Sequence, residues 1–107
     1  MCPETGESAR PAIHPEVRRE HVIKLAAAAN DTGDLTGDIL RPDGEMSARI
    51  GHARSGHATD VTVILHGGFP YFARTTDHRP IIAIEDVAGT LAVIRHELVM
   101  RGQICRP

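Results

Sequence analysis

The sequence predicts a small α+β domain in which helices pack on an antiparallel sheet. Three observations carry this prediction. Apolar residues recur with helical spacing near both ends of the chain, within residues 22–29 and 87–98. Short apolar and β-branched runs lie between these segments, separated by Gly and Pro turn signals. The order of helix, two hairpins and closing helix favours a sheet of four to five strands with the C-terminal helix packed on it.

The length of the chain predicts one domain with a single hydrophobic core. A chain of 107 residues has a common size for one domain and buries about two thirds of its unfolded surface. Residues 1–13 are polar, rich in Pro and Gly, and without periodicity. We therefore expect a mobile N-terminal tail over residues 1–13 and one α+β domain over residues 14–105.

The first helix is predicted to begin near Pro15, because proline suits the first helical position and Glu16 complements the helix dipole. Asn30 and Gly33 supply the signal that ends it. Arg18 lies at one end of the apolar stripe, so its guanidinium must reach solvent or a carboxylate. The stripe consists of Val22, Leu25, Ala26 and Ala29.

The next segment is acidic and rich in turn residues, DTGDLTGD from Asp31 to Asp38, and predicts a connection. Pro42-Asp43-Gly44 is a strong turn signal. Its flanks, residues 38–41 and 45–50, could pair as a first hairpin. A short helix over residues 44–54 is the alternative, which periodicity alone does not exclude.

A second hairpin is predicted around the His66-Gly67-Gly68 turn. Small and polar residues precede it and predict a loop over residues 51–58. The strand after the hairpin is short and follows another turn. The segments are Val61–Leu65 and Pro70–Thr75 for the hairpin strands, residues 77–80 for the turn, and Ile81–Ile84 for the last strand.

The closing helix has the clearest pattern in the chain. Asp86 is placed to cap its N-terminus, and Gly102, preceded by Arg101, predicts its end. Val93 and Met100 lie seven residues apart on the side opposite the apolar seam. A helix with a second apolar side favours contact with a partner, so these two residues are the predicted interface. The seam consists of Val87, Leu91, Ile94 and Leu98.

Composition and charge argue against several classes of protein. The formal net charge of −2 does not favour binding to nucleic acid or to an anionic membrane surface. No apolar run approaches the roughly 20 residues that span a bilayer, and the N-terminus lacks the apolar region of a secretory signal. Cys2 and Cys105 form no disulfide framework. We therefore expect a cytoplasmic protein.

Histidine and aspartate in the middle of the chain are the candidates for a metal site. Imidazole and carboxylate groups suit a divalent transition metal such as zinc. None of the established ligand spacings occurs, so only loops could gather these side chains. A small metal- or histidine-dependent enzyme is therefore one alternative function. Its candidate residues are His52, His57, Asp60, His66 and His78.

A second alternative is a diverged winged-helix regulator that binds DNA, with residues 61–75 as the wing. Ala29 and Gly33 have the spacing used across the turn of a helix-turn-helix. Thr32 and Asp34 are polar where that motif is apolar, and Pro42 would fall inside the recognition helix. Nucleic acid is thus the less favoured partner.

The leading hypothesis is a non-catalytic binding or accessory module that acts through protein contacts. It is based on the lack of a complete catalytic motif and on the second apolar side at Val93 and Met100. The expected partners are a second copy of the chain, as a symmetric homodimer, and another protein. No cofactor is expected under this hypothesis.

Overall fold

Two helices and a five-stranded antiparallel sheet make up the part of the chain that the computed structural model describes, residues 13–41 and 45–104. The fold class predicted from the sequence is confirmed. The strands follow one another in the sheet in chain order, β1-β2-β3-β4-β5, so every neighbouring pair is antiparallel. The elements are α1 (Pro15–Asp31), β1 (Leu35–Leu40), β2 (Ser47–His52), β3 (Ala58–His66), β4 (Phe69–Arg74), β5 (Pro80–Ala83) and α2 (Val87–Ile104).

The core lies between the sheet and both helices, on one face of the sheet. Strand side chains alternate between faces, and Ile50, Val63 and Phe72 belong to the face that the helices cover. The predicted stripe of α1 is buried as expected, and so are Leu91, Ile94 and Leu98 of the predicted α2 seam. Ile13, which the sequence placed in the mobile tail, is buried and joins this core.

The first helix begins and ends where the sequence predicted. The side chain of His14 accepts a hydrogen bond from the Glu16 amide, and Pro15 occupies the first turn. At the other end, the hydroxyl of Thr32 donates to the Ala29 carbonyl at 2.8 Å, and Gly33 takes the left-handed conformation with φ +87°. Arg18 donates from Nε to the carbonyl of Val63, a residue of β3 that lies past the part of β3 paired with β2.

The first hairpin forms as two strands, and the helical alternative over residues 44–54 is wrong. Ala48 pairs with Val61 on one side and with Ile39 on the other. The acidic segment is not a connection throughout, because β1 begins at Leu35, whose side chain is buried in the core. The predicted turn at Pro42-Asp43-Gly44 lies outside the described residues, as do residues 1–12 and Cys105.

The second hairpin has the predicted turn. Gly67 and Gly68 connect β3 and β4 with φ of +61° and +85°, the left-handed values that a two-residue hairpin turn requires. β3 begins three residues earlier than predicted, and β4 has the predicted length but begins one residue earlier. Because β2 ends at His52 and β3 begins at Ala58, the loop predicted over residues 51–58 is reduced to residues 53–57. The last strand begins at Pro80, one residue before the predicted start, and ends at Ala83.

The closing helix is capped as predicted but does not end at Gly102. The Asp86 carboxylate accepts a hydrogen bond from the Gly89 amide at 2.8 Å. The helix continues to Ile104. A Cβ at Gly102 would lie 2.7 Å from the Cβ of Ser55, so this glycine allows α2 to approach the β2–β3 connection.

Candidate functional site

The outer side of α2 carries the predicted interface residues on the surface. Val93 is 37% exposed and Met100 is 41% exposed. His96 lies between them and is also exposed. Residues three, four and seven apart share one side of a helix, so these three form a stripe that we call the α2 patch: Val93, His96 and Met100. The buried seam occupies the opposite side of the same helix.

Two ion pairs hold α2 against the sheet on either side of this stripe. Arg95 donates two hydrogen bonds to the carboxylate of Asp34, at 2.7 and 3.1 Å, just before β1 begins. Arg74 at the end of β4 forms a two-bond pair with Glu97. Bidentate pairs of this kind fix orientation as well as distance. The α2 patch is therefore presented on a helix whose rotation is fixed.

The pairing with Arg95 also changes the ionisation of Asp34. The hydrogen bond from Arg95 is the largest cause that holds the pKa of Asp34 below its ordinary value, and the Thr32 hydroxyl acts in the same direction. Both groups stabilise the charged carboxylate.

A second candidate surface is a groove at the sheet, lined by Arg49 of β2 and Asp60 of β3. Its larger cavity, of about 580 Å³, lies between Glu45 on one side and His78 on the other. An adjoining cavity of about 320 Å³ shares Arg49, Asp60, Thr75 and Thr76 with it. We call the two together the sheet groove. Its polar lining includes Arg41, Glu45, Ser47, Arg49, Asp60 and His78.

Charged side chains in the sheet groove are arranged as ion pairs. Arg49 on β2 and Asp60 on β3 face each other, with Nε to Oδ1 at 2.9 Å and Nη2 to Oδ2 at 3.2 Å. Asp60 raises the pKa of Arg49. At the other end of the groove, Nε2 of His78 lies 3.2 Å from a Glu45 carboxylate oxygen. The Arg18 guanidinium lies 3.9 Å from the same carboxylate.

The histidines predicted to hold a metal are distributed over separate parts of the fold. His52 is buried, and its Nδ1 accepts a hydrogen bond from the Ser55 amide at 3.0 Å. His66 lies at the tip of the second hairpin, with its ring edge-on to Tyr71. Of the proposed ligands, only Asp60 and His78 line the sheet groove, where each has its own charged neighbour.

His57 lies in the short β2–β3 connection, where its amide donates a hydrogen bond to the Ser55 hydroxyl at 3.2 Å. Within residues 13–41 and 45–104, no three His, Cys, Asp or Glu side chains are close enough together to hold a metal ion. The reason is the length of β3. His57 precedes this strand and His66 ends it, so the two histidines lie at opposite ends of an extended nine-residue strand.

The winged-helix alternative does not fit the observed fold. Residues after Gly33 form strand β1, where a recognition helix would have to lie. Residues 61–75 form a hairpin inside a five-stranded sheet and not a wing beside a helical motif.

Sequence reasoning missed the sheet groove. Its one sequence signal is the alternation on β2 and β3, which places Arg49 and Asp60 away from the apolar face. Most of the remaining lining residues flank two turns at least 30 positions apart in the chain, and their proximity depends on the strand order.

Comparison with known proteins gives no relative from which a function could be transferred. No family model, no curated protein and no solved structure significantly matches the chain. Among the described residues, neither helix has both the length and the apolar character needed to cross a membrane. The chain is thus defined by its α+β fold, its α2 patch and its sheet groove.

Proposed function

We propose that the protein is a non-catalytic binding module that acts through protein contacts, and that its first partner is a second copy of itself. The observation that carries this proposal is the exposure of Val93 and Met100 on one side of a helix whose other side is already filled by the core. Exposed apolar side chains at helical spacing are typical of helix-to-helix contacts between proteins.

The α2 patch is suited to contact its own copy. In a two-fold symmetric dimer, residue i of one copy meets residue j of the other, and j meets i. If the two α2 helices pack antiparallel about an axis near residues 96 and 97, Val93 of one copy faces Met100 of the other, twice. The same arrangement places His96 of one copy opposite Glu97 of the other, so its charges are compatible when the histidine is protonated.

The surroundings of the α2 patch also favour a helix pair. Ala92 is exposed beside Val93 and is small enough to allow a second helix to approach closely. The ion pairs of Arg95 and Glu97 keep the helix in a fixed orientation, so little freedom is lost when a second copy binds. A stable dimer buries about 800 Å² on each partner. A helix of 18 residues is long enough to supply most of that contact.

The polar groups outside the α2 patch favour a binding role for the protein over a catalytic one. In the described part of the chain, every buried side-chain nitrogen or oxygen has a hydrogen-bond partner. The charged side chains Arg74, Arg95 and Asp34 are engaged in pairs that join the elements to one another. These groups stabilise the fold, and two of the three residues of the α2 patch, Val93 and Met100, are apolar.

The test is the oligomeric state of a double variant, Val93→Glu with Met100→Glu. Four like charges would face one another in the dimer, so we expect a monomer in sedimentation velocity at concentrations where the parent chain is dimeric. The matched control is Val17→Glu with Ile23→Glu on α1, where the two side chains have comparable exposure, 36% and 42%. The control should remain dimeric.

Circular dichroism and thermal unfolding of both double variants establish that each is folded. A folded Val93/Met100 variant that stays dimeric contradicts the proposed interface. Loss of the dimer in the α1 control alone would place the interface on the other helix and contradict it as well.

A further inference from the structure

The sheet groove has a conformational feature that the fold does not require. Arg41 and His78 are the non-glycine residues with positive φ in the described chain, at 53° and 55°. Both line the same cavity of about 580 Å³. A left-handed conformation is unfavourable for an L-residue, and such residues concentrate at binding sites. Because both of these residues line one cavity, that cavity is a candidate binding site.

The position of His78 shows how this conformation shapes the groove. Its amide donates to the Arg74 carbonyl at 2.9 Å, which closes the β4–β5 connection into a turn. The ring then reaches Glu45 on the β1–β2 connection. Arg41 and Glu45, which flank the β1–β2 turn, line the same cavity as His78, and so does Ser47, which is buried.

The charge of the groove differs in sign from that of the whole chain. Three arginines (Arg41, Arg49 and Arg101) and two carboxylates (Glu45 and Asp60) line the two cavities, which leaves one positive charge with His78 neutral. The chain carries a formal charge of −2. Both carboxylates are already paired, Asp60 with Arg49 and Glu45 with His78 and Arg18.

Donors for an oxygen-rich ligand surround this positive charge. Arg49 uses Nε and Nη2 for Asp60, and its Nη1 group lies outside that pair. The hydroxyl-bearing residues Ser47, Thr75 and Thr76 line the same cavity. Planar guanidinium groups match the oxygens of phosphate and carboxylate, and hydroxyl groups complete such sites.

We infer that the sheet groove binds a small molecule through an oxyanion group, a phosphate or a carboxylate held by Arg41 and Arg49. The volume of the larger cavity is within the range of small-molecule sites, so the oxyanion is one end of a larger ligand. Arg41 and Arg49, which hold the oxyanion, lie outside the α2 patch, although Arg101 of α2 lines the smaller cavity. The inference does not rest on the proposed dimer, and either can fail without the other.

The experiment is a titration of the ¹⁵N-labelled full chain with sodium phosphate and, separately, with sodium acetate, followed by amide chemical shifts at constant ionic strength and pH. We expect a saturable response at Ser47, Asp60, Thr75 and Thr76, with a dissociation constant on the order of 1 mM for the preferred anion. Preference for phosphate assigns the ligand to phosphorylated molecules, and preference for acetate assigns it to carboxylates.

The variants Arg41→Gln and Arg49→Gln should each weaken binding about tenfold, because each removes a charge-assisted contact. The matched control is Arg79→Gln, which removes the same charge from the neighbouring β4–β5 connection, where the side chain is 82% exposed and outside the cavity lining. It should bind as the parent chain does.

Three results would overturn the inference. One is the lack of saturation by either anion well above 1 mM, and another is a set of shifted amides that lies outside the groove. The third is an equal loss of binding in Arg79→Gln and the groove variants, which would indicate a general electrostatic effect. Because Arg41 has no role in the Arg49–Asp60 pair, its variant tests the site even if Arg49→Gln disturbs the sheet.

Discussion

The side-chain amide of Asn30 makes two hydrogen bonds to the backbone of Gly37. Its Oδ1 accepts from the Gly37 amide at 2.9 Å, and its Nδ2 donates to the Gly37 carbonyl at 3.0 Å. β1 is the first strand of the sheet, so its outer edge has no neighbouring strand within the described part of the chain. Asn30, the penultimate residue of α1, occupies the place that a residue of another strand would take. This contact limits edge-to-edge pairing at the middle of β1.

Replacement of Gly37 by Ala tests how closely α1 approaches β1. A Cβ at this position would lie 2.5 Å from the carbonyl oxygen and 2.7 Å from the Cα of Ala26, both of which are backbone atoms. The helix must move to relieve this overlap, so we expect a loss of about 1–3 kcal/mol in the free energy of unfolding measured with urea. Gly51→Ala is the control, since its Cβ would meet only the side-chain oxygen of Thr36 at 2.9 Å. Equal stability of the two variants would contradict the close approach.

Replacement of Asn30 by Ala removes both hydrogen bonds to Gly37 but creates no cavity, because the side chain is exposed. We expect a loss of about 1 kcal/mol in the free energy of unfolding and faster hydrogen exchange at the Gly37 amide. Asn30→Asp can accept from that amide but brings a carboxylate oxygen to the Gly37 carbonyl, so it should not restore the lost stability. An Asp variant as stable as the parent chain would show that the donated bond has no effect.

Thr62 provides a test of a buried hydrogen bond. Its side chain is completely buried, and its hydroxyl donates to the Met46 carbonyl at 2.7 Å. Thr62→Val keeps the shape but leaves that carbonyl without this donor, so we expect a loss of about 1–3 kcal/mol in the free energy of unfolding. Thr62→Ser keeps the hydroxyl and removes a methyl group at a cost of about 1 kcal/mol. If Val is less damaging than Ser, packing and not the hydrogen bond determines the stability at this position.

The pair of Asp34 and Arg95 predicts a pH dependence of stability. The Arg95 hydrogen bond holds the pKa of Asp34 in the folded chain below its ordinary value near 3.8. The unfolded state therefore binds this proton first as the pH falls, and the stabilisation is complete above the ordinary value and lost as the pH falls through the lower, folded value. In urea unfolding between pH 5 and 2, Asp34→Asn should show a shallower decrease of stability than the parent chain. Parallel curves for the two proteins would show that Asp34 does not contribute.

The sequence alone predicted the elements whose secondary structure depends on the local pattern of residues. Helical spacing identified both helices, and two glycines in sequence identified the tight turn of the second hairpin. The end of β1 was predicted as part of the first hairpin from residue 38, but its start at Leu35 was missed because residues 35–37 read as a turn. In the structure Gly37 lies close to Ala26 and is hydrogen-bonded to Asn30. Gly102 was misread as a helix end because its contact with Ser55 is long-range.

The two candidate sites also differ in whether local sequence pattern could predict them. Val93 and Met100 were recognisable because a spacing of seven places them on one side of a single helix, away from its seam. The sheet groove was not recognisable, because its walls are connections that only the strand order brings together. The positive φ of Arg41 is equally hidden, since arginine does not favour a left-handed conformation, whereas histidine adopts one more often and only weakly signals the conformation of His78.

The most direct test of self-association through α2 is native mass spectrometry of the parent chain, purified without a histidine tag or chelators. The account predicts a species of twice the chain mass of 11.6 kDa, with no bound metal, that dissociates on dilution. A species of one chain mass at every accessible concentration would contradict the proposed dimer. A chain that carries one stoichiometric metal ion would contradict the non-catalytic assignment and favour the alternative of a metal- or histidine-dependent enzyme.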